Sequence, residues 1–88
     1  MTGSAAGLAA DDVRLVKHSL NVAGHRTSIS LEGIFWRALK SEAARRDLSI
    51  AALVQEIDAA RGSTNLSSAL RVHILRAAQE GAEAGTDT

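Results

Sequence analysis

Between His25 and Glu32 polar and apolar side chains alternate with a period of two: Thr27, Ile29 and Leu31 point one way from an extended chain, and Arg26, Ser28 and Ser30 the other. This stretch predicts a strand. Downstream the apolar positions change to helical spacing. Over residues 33–46, Phe35, Trp36, Leu39 and Ala43 fall on one face of a helix that carries both aromatics of the chain. Arg45 and Arg46 close it, placing cations where a helix C-terminus favours them. Ser49 is a good N-cap for a second helix over residues 50–61, in which Ile50, Leu53, Val54, Ile57 and Ala60 keep helical spacing before Gly62. Asn65 caps a third helix with Leu66, Ala69, Leu70, Ile74 and Ala77 on one side, Val72 and Leu75 beside them, and His73 between. Upstream, residues 16–22 alternate weakly, with Val16, His18, Leu20 and Val22 on one side, and Ala23 and Gly24 are placed to turn the chain. The pattern leaves open whether these residues form a second strand.

The predicted fold class is therefore mainly α with one or two short strands. Residues 1–12 and 79–88 are small, polar and Gly-containing and read as flexible tails, which leaves one domain over residues 13–78. With 88 residues the core is small, and chains of this size usually need disulfides, a metal or a partner subunit. There is no Cys, which removes disulfides and thiolate zinc sites. A second copy of the chain is the remaining remedy. No apolar run approaches the roughly 20 residues of a membrane span, and the N-terminus has no leader pattern, so a cytoplasmic protein is expected.

The net charge is zero, but its distribution is uneven. From Val13 to Arg46 there are seven basic residues against two acidic ones; from Asp47 onward there are three against six. The half with the strand is the basic half, as a phosphate-facing surface requires. Nothing suggests an enzyme: there is no nucleophile elbow, phosphate loop or zinc-protease motif. His18, His25 and His73 lie in separate segments without ligand spacing, so neither a metal nor a cofactor is expected. Asp58 and Arg71 are expected to tie the second helix to the third.

A lone strand leaves backbone groups unpaired along both edges, and pairing it with its own copy satisfies one of them. The result is an obligate, intertwined homodimer with an intermolecular antiparallel β-ribbon. Ile29, Leu31, Phe35, Trp36, Leu39, Leu53 and Ile57 are its expected dimer core, and Arg26, Ser28 and Ser30 of both chains lie outside. A two-stranded ribbon fits the DNA major groove, and an Arg among short polar side chains suits base edges there.

The blocks "GHRTSISLE", "FWRALK", "LVQEID" and "NLSSALR" resemble a short bacterial ribbon-helix-helix family presumed on its fold to bind DNA. The resemblance spans residues 16–76. It implies a dimeric transcriptional regulator of the repressor type, with an extra C-terminal helix, that reads double-stranded DNA through Arg26, Ser28 and Ser30. It also implies a DNA phosphate at the start of the second helix, around Ser49 and Ile50, where free N–H groups and the positive dipole end converge. His25, Arg45 and Arg46 are the further candidate phosphate contacts. Two other readings stay open: a protein-interaction module such as an antitoxin-like dimer, and a ligand-binding dimer whose widened sheet no longer meets DNA.

Overall fold

The computed structural model describes residues 9–86. Six elements follow one another: α1 (Ala10–Val13), β1 (Leu15–Val22), β2 (His25–Glu32), α2 (Gly33–Arg45), α3 (Ile50–Ala60) and α4 (Leu66–Thr86).

The weakly alternating stretch upstream is a full strand. β1 and β2 pair antiparallel, from Val22 opposite His25 at the turn to Leu15 opposite Glu32 at the open end. Ala23 and Gly24 make the two-residue turn with φ of 53° and 82°. Two successive left-handed residues give a turn whose twist matches that of the flanking strands. A two-stranded hairpin is thus formed within one chain, and the upstream stretch that the sequence pattern left open is its first strand. β1 supplies backbone partners along one edge of β2 and leaves its other edge without a strand among the described residues.

Each helix boundary has a local cause. α2 ends with Asp47 in the left-handed region (φ 58°), while the Leu48 N–H donates to the Ala43 carbonyl at 2.8 Å and the Asp47 N–H to that of Ala44 at 3.1 Å. Both bonds occupy carbonyls that a helix end leaves without partners. The Ser49 hydroxyl accepts from the Ala52 N–H at 3.0 Å and so caps α3. The Asn65 Oδ1 does the same for α4, from the Ser68 N–H at 3.2 Å.

The inner face of the hairpin meets the helices. Val22, Ile29 and Leu31 are buried with Leu39 and Ala43 of α2, Leu53, Val54 and Ile57 of α3, and Leu70 and Ile74 of α4. Five of the positions expected in a core shared between chains (Ile29, Leu31, Leu39, Leu53 and Ile57) are therefore buried inside one protomer. Phe35 and Trp36 stay half-buried beside this core. Trp36 stacks on His18 of β1, with ring centroids 3.7 Å apart and planes 9° from parallel.

Both ends of the chain carry more helix than their composition suggests. Ala10–Val13, expected in the N-terminal tail, form a turn of helix whose buried Asp12 accepts from the Ala9 N–H at 3.1 Å and from the Arg37 guanidinium. This strap requires a glycine below it, because a Cβ on Gly33 would fall on the Asp11 carbonyl oxygen. Residues 1–8 of that tail lie outside the described residues. At the other end α4 continues to Thr86 through a stretch expected to be tail from residue 79. The expected pairing of Asp58 with Arg71 does not form. Asp58 is engaged by Arg61 of its own helix turn at 2.5 Å, and Arg71 reaches β2 to meet Glu32 at 2.9 Å, its guanidinium 5.8 Å from the Phe35 ring centroid.

Candidate nucleic-acid interface

The register of the hairpin decides which side chains share its outer face. Val16, His18, Leu20 and Val22 of β1 and Thr27, Ile29 and Leu31 of β2 face the helices, so Lys17, Ser19 and Asn21 stand outside with Arg26, Ser28 and Ser30. Across the ladder Asn21 is opposite Arg26, Ser19 opposite Ser28, and Lys17 opposite Ser30. Sequence reasoning found the β2 half of this surface and missed the β1 half. The missed signal was available in residues 16–22: once they are a strand, the positions between Val16, His18, Leu20 and Val22 must point outward.

This face is polar and positive. Neither Lys17 nor Arg26 is in an ion pair among the described residues. The one carboxylate at its open end, Glu32, is held by Arg71, whose hydrogen bond keeps the Glu32 pKa below the ordinary glutamate value. Arg26 and Ser28 are exposed, and Ser30 is half-buried. Asn21, Lys17 and Ser19 are exposed as well.

The outer edge of β2 has its own chemistry. The pair flanking a two-residue turn exchanges both hydrogen bonds, and bonded and non-bonded pairs then alternate along the ladder. Val22–His25 is that first pair, so Arg26, Ser28 and Ser30 fall in non-bonded pairs and turn their backbone N–H and C=O groups away from β1. The sheet has two strands, and that edge of β2 has no strand beside it among the described residues.

The second set of expected contacts sits at the α2–α3 corner. Capping occupies the Ala52 N–H, and the Leu53 N–H donates to the Ser49 carbonyl at 3.0 Å. The N–H groups of Ile50 and Ala51 are left at a helix start with no acidic residue in its first turn. Arg45 and Arg46 are engaged by carboxylates of their own chain. Arg45 holds Glu42 through two bonds of 3.0 and 2.7 Å, which lowers the Glu42 pKa and raises its own, and Arg46 meets Glu56 of α3 at 2.7 Å. His25 lies exposed beside the turn of the hairpin, on a different element from this corner.

The strand pair and the two helices joined at this capped corner all lie within the stretch that the family comparison matches. The sequence matches the family model of the ribbon-helix-helix domain over residues 15–78. The chain belongs to the ribbon-helix-helix domain family. The match starts at Leu15, the first residue of β1, so the whole hairpin and most of α4 lie inside the ribbon-helix-helix unit. Among solved structures, an uncharacterized protein from Bordetella pertussis Tohama I is similar, with a TM-score of 0.77 and 28% identity over 93% of this chain and 70% of that one. No curated protein matches this ribbon-helix-helix chain. Among the described residues no helix is long and apolar enough to cross a membrane, and no group of His, Asp or Glu is arranged to hold a metal ion.

Proposed function

We propose that the protein is a homodimeric transcriptional regulator, a repressor, that binds double-stranded DNA through the outer face of its hairpin. The observation that carries this reading is the exposed row Asn21, Arg26, Ser28 and Lys17, with two cations free of carboxylate partners among the described residues, in a ribbon-helix-helix chain. Arg, Asn and Ser are side chains that pair with base edges, and Lys suits phosphate.

Dimerisation through the free edge of β2 places the two β2 strands side by side, with β1 flanking each. Strands lie about 4.8 Å apart, so four span about 14 Å, more than the major groove of about 12 Å. The central pair enters the groove and presents Arg26, Ser28 and Ser30 to the bases. The flanking strands lie over the groove rims, where Lys17 meets phosphate and Asn21 reaches the outermost base or the sugar. The N-terminus of α3, with the Ile50 N–H next to the Ser49 cap, holds a further phosphate in this reading.

Fluorescence anisotropy with DNA from upstream of the protein's own gene, titrated against scrambled competitor at several salt concentrations, tests the reading. Competitor-resistant binding whose log affinity falls linearly with log salt is expected, and Arg26→Ala should weaken it by about 1–3 kcal/mol and relax preference at one base pair per half-site. A folded dimer that ignores DNA at low salt would end this assignment.

A further inference from the structure

We propose that Arg71 of α4 is a positioning residue for DNA binding: by pairing with Glu32 it cancels the one negative charge on the outer face of the hairpin, an inference that rests on the DNA reading of that face. On β2 the face carries Arg26, Ser28, Ser30 and, at its last position, Glu32, which lies opposite Leu15 of β1. Leu15 is 58% exposed, so this end of the ladder is open to solvent. Glu32 is the only carboxylate on the face. It stands two residues beyond Ser30, about 7 Å along the strand, inside the Debye length of about 8 Å at physiological ionic strength. Left unpaired there, it repels the phosphates that Lys17 and Arg26 attract.

Three elements build the pair. Leu70 and Ile74 are buried in the core and fix the turn of α4 from which Arg71 leaves. Its guanidinium passes the Phe35 ring of α2, 5.8 Å from the centroid, and its Nε donates to Glu32 Oε1 at 2.9 Å. That hydrogen bond lowers the Glu32 pKa, so the carboxylate is ionised at neutral pH and the two charges offset each other. The side chains are 31% and 32% exposed, so the pair reaches the surface, and a phosphate nearby meets its net charge of zero. The carboxylates of α1 at the same end of the hairpin are matched in the same way, Asp11 by Arg14 and Asp12 by Arg37. With Arg71 in place, Lys17 and Arg26 set the sign of the face. α4 thereby raises affinity for DNA without contacting it.

Fluorescence anisotropy with the same upstream DNA compares the wild type, Arg71→Gln, Glu32→Gln and the double variant across a salt series, while circular dichroism and sedimentation velocity check fold and dimer. Arg71→Gln should bind about tenfold more weakly, about threefold per copy, as a unit negative charge roughly 7 Å from a phosphate in water does. Its log affinity should also fall less steeply with log salt. Glu32→Gln leaves Arg71 in place and should bind at least as tightly as the wild type, with a steeper slope. The double variant should return to within about threefold of the wild type, because it again presents no net charge. The proposal fails if Arg71→Gln binds like the wild type or if Glu32→Gln weakens binding. It fails equally if the double variant stays as weak as Arg71→Gln, since Arg71 then touches phosphate itself or serves only to hold α4 on β2. A wild type that ignores DNA ends the DNA reading and this proposal with it; a wild type that binds while all three variants match it ends this proposal alone.

Discussion

Ala23 occupies a position that side chains other than Asn, Asp and Gly rarely take. Its φ of 53° carries the strain of a Cβ in the left-handed region, at the first central position of a turn that favours Asn-Gly. Ala23→Asn should therefore raise unfolding stability by about 0.5–1 kcal/mol in a urea titration, with the m-value unchanged. Leu31 is completely buried, so Leu31→Asp should unfold the protomer itself, seen as loss of helical circular dichroism at every protein concentration. From the sequence alone the same substitution points to loss of the dimer, because Leu31 then belongs to a core shared by two copies. The acid response belongs to this scale too. Glu32 and Glu42 are held below their ordinary value by Arg71 and Arg45. Carboxylates with a lowered folded-state pKa stabilise the fold above their unfolded value of about 4.5 and lose that contribution as pH falls through the folded one. Stability measured from pH 7 downward should stay level as far as these two groups govern it, then decline below that value. Arg71→Gln should flatten the part due to Glu32.

At the scale of elements, the legible features were those with a period or a cap. Ile29 and Leu31 alternate with serines, Leu53, Val54 and Ile57 keep helical spacing, and Ser49 and Asn65 cap the helices predicted from them. β1 was less legible because His18 sits where its alternation calls for an apolar residue. The structure resolves the anomaly: the imidazole lies flat on the Trp36 indole and works there as an apolar slab with polar edges. Without β1, the outward set Lys17, Ser19 and Asn21 had no reason to be read as one surface. Arg71 was assigned the wrong partner for a different reason. Its contact with Glu32 joins residues 39 apart in sequence, and such a pairing follows from where α4 packs and not from local spacing. The tail-like composition after residue 78 hid a helix because Ala, Glu and Gln there sustain helix where Gly weakens it. α4 contributes Leu70 and Ile74 to the core, so Leu70→Ala should cost about 2–5 kcal/mol by chemical denaturation even though the strand, α2 and α3 remain intact in sequence.

For the whole molecule, the free β2 edge and the closed core have to be considered together. Ser28 lies in a non-bonded pair with Ser19, and its N–H points away from β1. Proline is tolerated in a strand where its missing N–H faces outward. Ser28→Pro should consequently leave the hairpin and helices folded but abolish dimers in sedimentation velocity. Persistence of the dimer would place the contact between copies elsewhere than this edge. The same pairing of β2 with a strand two residues away in the chain also alters how the protein comes to exist. A ribbon shared between chains ties folding to collision, so that refolding slows on dilution and a scarce protein is an unfolded one. Here the longest ladder closes within one chain, and its contacts are among the most local that a sheet permits. Refolding should then proceed at a rate independent of concentration, and a cell holding only a few copies would still hold folded ones.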